Sequence, residues 1–182
     1  MNAAASENKI SELLSEQNYS EAFNLIVEQY KERLYWHIRK IVLIHEDADD
    51  VMQNTFIKVW RYLENFKQDS KIYTWLFRIA TNESITFINN KKKKEEDSFQ
   101  NYENFLSSKL ESDEYFEGDT AQLILQKAIL TLPEKQRIVF NMKYFDETKY
   151  QEMSEILGTS AGALKSSYHY AVKKIEEYIK QY

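Results

Sequence analysis

Three glycines and one proline are all that interrupt 182 residues. Ordinary domains use glycine at about 7% and proline at about 5%. Each reversal of a β-sheet needs a turn, and turns draw heavily on these two residues. Gly118, Gly158, Gly162 and Pro133 are too few to fold a sheet, so the expected class is all-α. Apolar residues at 43%, with 14% aromatic, suffice for a packed core, and 29% charged residues suit its surface. There is no cysteine, which excludes disulfides, thiolate metal sites and a cysteine nucleophile. No basic segment followed by an apolar run opens the chain, and no stretch approaches the roughly 18 apolar residues of a membrane span. A cytoplasmic protein without membrane contact of its own is expected.

The net charge of −5 is unevenly spread. Residues 1–94 carry +1, residues 95–120 carry −8 and residues 121–182 carry +2. The middle segment has no sustained apolar period, and a loop of its length is unusual inside one compact domain. It reads as a flexible acidic linker between two small helical domains, 1–94 and 121–182. Fully extended at about 3.3 Å per residue it would span roughly 85 Å, more than the roughly 70 Å of two turns of B-DNA.

In the first domain, Ala22, Phe23, Leu25, Ile26, Tyr30, Leu34, Ile38, Ile41 and Val42 recur at helical steps and predict a helix ending near Ile44. A second begins at His45-Glu46-Asp47-Ala48-Asp49-Asp50, where carboxylates favour the positive end of the helix dipole. That reading is preferred to a metal site, because consecutive helical residues point around the whole circumference. Its expected inner face is Ala48, Val51, Met52, Thr55, Phe56, Val59, Trp60 and Leu63; Asp50, Gln53, Ile57 and Arg61 fall opposite. Ile57 is thus an apolar residue among polar ones. After a polar loop, Asn65 to Ser70, a third helix starts near Lys71 with Ile72, Trp75, Leu76, Ile79 and Ala80 on one stripe. Thr74, Arg78, Thr81, Asn82 and the run Lys91-Lys92-Lys93-Lys94 leave a face rich in donors and positive charge, suited to phosphates and bases. Trp75 is open to either a core or a functional role.

The second domain opens with Leu123, Ile124, Ala128 and Ile129, then Leu132-Pro133, with proline expected in the first turn of the next helix. A short helix from Tyr150 to Leu157 ends at Gly158, and Ser160 caps a longer one expected to bury Leu164, Tyr168, Ala171, Val172, Ile175 and Ile179. Short helix, glycine turn and longer helix make a helix-turn-helix. The exposed arc of its second helix holds Gly162, Ser166, His169 and Lys173, bordered by Ala163, Lys165 and Tyr170. Small residues at the N-terminal end let the backbone approach base edges, and the lysines can neutralise phosphates. His169 is open between a base contact and a plain exposed residue. No strand-turn-helix elbow exists to present a catalytic serine.

Read together, the two halves resemble the extracytoplasmic-function class of bacterial sigma factors in the sigma-70 family. Residues 47–60, DADDVMQNTFIKVW, look like the family's second region, and residues 74–82, TWLFRIATN, like its adjoining promoter-reading segment. Leu132-Pro133-Glu134-Lys135-Gln136-Arg137 and the run Ser160 to Ser166 look like the fourth.

The resemblance implies a non-enzymatic subunit with no cofactor, metal or catalytic residue. It implies docking on the largest-subunit coiled coil of RNA polymerase through Asp47, Asp50, Gln53, Ile57 and Arg61, with a further contact at the flap region. It implies reading of the minus-10 element by Lys71, Thr74, Trp75, Arg78, Asn82, Lys91, Lys92 and Lys93. The minus-35 element would fall to Ser160, Ala161, Gly162, Ala163, Lys165, Ser166, His169, Tyr170 and Lys173. An anti-sigma factor is a further implied partner. Where many members carry a basic group, this chain has Ser167 and Tyr170, so its helix-turn-helix is expected to bind DNA weakly by itself. The competing readings are a helix-turn-helix regulator acting without polymerase, and a helical scaffold that contacts only proteins.

Overall fold

The computed structural model describes residues 3–94 and 120–181, and among them every regular element is a helix. In order these are α1 (Ala3–Ser15), α2 (Tyr19–Val42), α3 (His45–Tyr62) and α4 (Ile72–Lys94), then α5 (Thr120–Leu130), α6 (Glu134–Tyr144), α7 (Tyr150–Leu157) and α8 (Ala161–Ile179). A single 3-10 turn, Leu63–Asn65, follows α3. The expected linker lies outside the described residues except for Thr120, which opens α5. The chain divides into two compact units, Met1–Phe87 and Ile88–Tyr182, so the division falls within α4, ahead of the boundary expected after Lys94.

The first unit is built around α2. Asn18 starts this helix: its Oδ1 accepts the Glu21 N–H at 3.4 Å while its Nδ2 donates to Glu21 Oε2 at 2.7 Å, two contacts that satisfy the otherwise open first turn. Ala22, Ile26, Tyr30, Leu34, Ile38 and Ile41 then run down one buried stripe. Leu43 ends α2 in the left-handed region (φ 70°), its N–H bonded to Arg39 O at 2.9 Å. The reversal is so tight that α3 starts two residues later, with Glu46 and Asp47 in its first turn. Ala48, Val51, Met52 and Val59 of α3 pack into the core, as do Ile72, Leu76, Phe77 and Ala80 of α4.

Helix α1 was not anticipated. It contributes Ile10, Leu13 and Leu14 to the same core and is tied to α2 by the Tyr30 hydroxyl, which donates to Glu7 Oε1 at 3.0 Å. Burial, helped by the Glu7 carboxylate, pushes the Tyr30 phenol far above its ordinary value. Buried polar groups also join helices: His37 Nε2 on α2 meets Thr81 Oγ1 on α4 at 2.8 Å.

In the second unit Pro133 is the N-cap of α6, one position before the first turn where it was expected. Gly158 ends α7 at φ 63°, donating to Ser154 O at 2.9 Å; that conformation is why glycine stands there. Two residues on, Ser160 Oγ accepts the Ala163 N–H at 3.3 Å and opens α8. The core gathers Ala128, Ile129 and Leu132 with Phe140, Ala171 and Ile175, flanked by Tyr168 and Val172. Ile179, expected inside, is exposed; as the last residue of α8 it has no following turn to cover it.

Candidate functional site

Three surfaces and one cavity carry the candidate residues. On α3, the helical period sets Asp50, Gln53, Ile57 and Arg61 on the exposed face, while Asp47 is half-buried. Ile57 leaves 55% of its surface in contact with water. One residue joins this face unexpectedly. Trp60, read from periodicity as part of the inner stripe, is 52% exposed. Its place one turn after Ile57 puts it on the shoulder of the helix, where the indole rests edge-on against Phe23 of α2 at 5.2 Å. Tyr62 is exposed beside it. An acidic face with a half-buried tryptophan and a bare isoleucine suits a protein partner, since aromatic anchors ringed by polar groups dominate such contacts.

Along α4 the expected donor face splits. Arg78 and Asn82 are exposed, Trp75 is half-buried, and Lys71 precedes the helix on the surface. Thr74 is only 1% exposed, so it offers no surface to a ligand, and its place among expected contacts is corrected. Thr81 is likewise buried, its hydroxyl donating to Phe77 O at 2.7 Å. Bonding back to its own helix lets a threonine sit inside. Lys91 and Lys92 are half-buried and Lys93 is exposed; all three fall in the second unit, within which Lys92 Nζ donates to Glu134 Oε2 at 2.8 Å. The loop leading into α4 packs Phe66 against Trp75, ring centroids 4.9 Å apart. Beside it, between the loop and α1, lies a cavity of about 350 Å³, within the roughly 300–1,000 Å³ range of small-ligand sites.

The exposed arc of α8 comes out as the sequence places it. Ser160, Gly162, Ala163, Lys165, Ser166, His169, Tyr170 and Lys173 are exposed and Ala161 is half-buried. A methyl group added at Gly162 would meet nothing within 4 Å, so the helix backbone there is open to close approach. Sequence reasoning missed Tyr150. Its ring lies under the Lys165 ammonium at 5.8 Å and the Lys143 ammonium at 5.2 Å, a cation–π arrangement that holds Lys165 near the helix-turn-helix mouth. Burial raises the Tyr150 phenol pKa. The signal was an aromatic residue next to a lysine at a helix start, too common a pattern to single out.

The acidic run at the start of α3 does not converge on an ion. His45 stands between the Tyr35 hydroxyl, 2.6 Å from its Nδ1, and Asp49 Oδ2, 3.5 Å from its Nε2. Among the described residues no three histidine, aspartate or glutamate side chains gather as a metal site, and no helix is long and apolar enough to cross a membrane.

Comparison with known proteins bears on all three surfaces. Residues 26–94 match the family model for sigma-70 region 2 and residues 122–175 that for sigma-70 region 4. The chain is 31% identical over 160 residues to the ECF RNA polymerase sigma factor SigW of Bacillus subtilis, covering 82% of this chain and 84% of that one. It is 28% identical over 172 residues to the RNA polymerase sigma-H factor of Pseudomonas aeruginosa, covering 86% and 85%. Among solved structures, the sigma factor RpoE of Bartonella quintana, crystallised with the anti-sigma factor NepR, has the same fold. The TM-score is 0.67 at 20% identity, over 87% of this chain and 96% of that one. CnrH, solved with the cytosolic domain of CnrY, gives 0.67 at 20%, over 94% and 98%.

Proposed function

This chain belongs to the extracytoplasmic-function sigma factors of the sigma-70 family, and from that membership we propose how its surfaces divide the work of binding core RNA polymerase, recognising a promoter and directing initiation. The exposed face of α3, with Asp50, Gln53, Ile57 and Arg61, docks on the coiled coil of the largest polymerase subunit. Trp60 joins it as an apolar anchor, and Asp47 adds charge at the rim. Arg78, Asn82, Lys71 and Trp75, with the loop before α4, read the minus-10 element as single strand, an unstacked base entering between the loop and its surroundings. The lysines at the end of α4 hold the backbone.

The minus-35 element meets α8 through Gly162, Lys165, Ser166, His169 and Lys173, with Ser160, Ala161, Ala163 and Tyr170 at the edges. The second unit also touches the flap region. The domains are 1–94 and 121–182, joined by the acidic segment 95–120. The protein acts in the cytoplasm without catalysis of its own, and an anti-sigma factor holds it inactive until a signal arrives.

The observation that carries this reading is the pairing of a half-exposed isoleucine and tryptophan on the acidic helix within the residues matched as region 2. The test mixes the pure chain with core polymerase and genomic fragments and maps transcript 5′ ends. New, defined start sites are expected. Their absence, with the chain bound or unbound, would overturn the assignment.

A further inference from the structure

Helix α1 lies upstream of residue 26, where the match to region 2 begins, yet it forms half of the cavity beside the loop into α4. We propose that α1 is a specificity element, with Asn8 and Ser11 helping to choose the promoter base that this cavity receives. The proposal rests on the reading above that an unstacked base enters at this loop.

The cavity has the two-sided character of a base site. Its floor is apolar, made by Ile10, Leu14 and Ile72, all under 9% exposed. Its rim is polar, with Asn8 and Ser11 on the α1 side facing Asp69 and Lys71 on the loop side. A nucleobase has the matching shape: a flat apolar face and an edge of donors and acceptors.

Helix α1 is also rigid enough to discriminate. Its apolar side is sunk in the core through Ile10, Leu13 and Leu14, and the hydrogen bond from buried Tyr30 fixes Glu7 at the cavity wall. Across the mouth, the Ser11 hydroxyl donates to the Gln68 side chain, and Gln68 holds a left-handed backbone, φ 58°. A loop residue kept in that conformation, with its side chain tied to α1, sets the width of the opening. Ser11 is therefore a positioning residue, acting through Gln68, whereas Asn8 reaches the rim itself.

The rim chemistry selects among bases. Glu7 and Asp69 are carboxylates that accept from the exocyclic amine of cytosine, and the Asn8 carboxamide matches the amine and ring nitrogen of adenine. Thymine offers a single donor, its ring N3–H, flanked by two carbonyls that meet acceptor-only carboxylates unfavourably. The expected occupant is adenine or cytosine, which carry an amine where guanine and thymine carry a carbonyl (O6 or O4), with thymine and guanine disfavoured.

The experiment uses the full chain bound to core polymerase and a single-stranded DNA library with a random central segment, sequenced before and after capture. Asn8→Ala and Ser11→Ala are exposed substitutions that leave thermal stability near that of the parent. Each should shift base frequencies at one and the same position by roughly three- to tenfold, the worth of one hydrogen bond, leaving other positions unchanged. Asn8→Asp should move the preference at that position toward cytosine. Phe66→Ala, on the loop side, should relax the same position. If Phe66→Ala relaxes a position while all three α1 substitutions leave every position as it was, α1 is structural only and the proposal fails while base capture stands. If no variant alters any position, base capture at this loop fails, and the proposal with it.

Discussion

Truncation of Ile57 should separate the proposed polymerase docking from folding more cleanly than any other change on α3. Full burial of an isoleucine is worth about 1.5–3 kcal/mol, and Ile57 has 55% of its surface in water. An interface that covers that remainder gains at most about 0.8–1.6 kcal/mol from it. Ile57→Ala should therefore raise the dissociation constant for core polymerase roughly 4- to 15-fold, at about 1.4 kcal/mol per factor of ten. The fold should hardly notice. The side chain is away from the core stripe, and alanine is the better helix former by up to about 0.5 kcal/mol, so the melting temperature should stay or rise slightly. The assay is competition: labelled parent chain on core polymerase, displaced by unlabelled parent or variant, with a thermal melt of each. An unchanged affinity with an unchanged melt would show that the docking face is elsewhere. A lowered melt would refute the argument that Ile57 is superfluous to packing.

Four further outcomes follow from particular contacts. Gly162→Ala has room for its methyl group and should stabilise α8 by up to about 0.5–1 kcal/mol, yet weaken promoter binding if the backbone approaches DNA there. Stability from melts and affinity from the holoenzyme should thus move in opposite directions. The buried Thr74 Oγ1 has no hydrogen-bond partner among the described residues, so Thr74→Val should leave stability unchanged or raised by up to about 1 kcal/mol and transcription intact; loss of minus-10 reading would restore Thr74 as a contact. Tyr30 has a phenol pKa raised on folding, so the unfolded chain ionises first and stability falls as pH climbs above about 10; Tyr30→Phe should flatten that alkaline limb in melts from pH 8 to 11. Lys165→Gln should lower the salt dependence of promoter binding by about one unit of log–log slope, read from holoenzyme titrations over a salt series.

The legible parts of the fold were those with explicit punctuation. Gly158 and Ser160 bound the two helices of the helix-turn-helix by chemistry that leaves few alternatives, and the exposed arc between Gly162 and Lys173 follows from their phase. Helices α2 and α3 were equally plain, because long apolar stripes repeat over many turns. Helix α1 was missed because its stripe is short: Ile10, Leu13 and Leu14 make little more than one turn, and it is held by partners distant in sequence, such as Tyr30 and Gln68. On α4 the error had the opposite sign. Thr74, Thr81 and Ser84 look polar in a pattern, but Thr81 and Ser84 bond back to Phe77 O and Ala80 O, which makes them small core residues. Trp60 shows the remaining weakness of periodicity, which gives an angle around the helix but not how far the neighbouring helix reaches. Phe23 covers one edge of the indole, and nothing in the α3 repeat announces that.

These differences bear on how a chain of net charge −5 engages DNA at all. The exposed arc of α8 carries two lysines, and Lys173 lies 3.9 Å from Glu177, which offsets part of its charge. Affinity from counterion release grows with the number of phosphates neutralised, at about 0.9 per contact in salt slope for duplex DNA, so this arc by itself supports only a shallow dependence. On the docking proposed for α3, the useful binding then comes from tethering, with the second unit meeting the duplex at a raised effective concentration. Under that proposal the apolar pair Ile57 and Trp60 would govern promoter occupancy as much as any basic residue does, and the helix-turn-helix would contribute selectivity after the complex has formed.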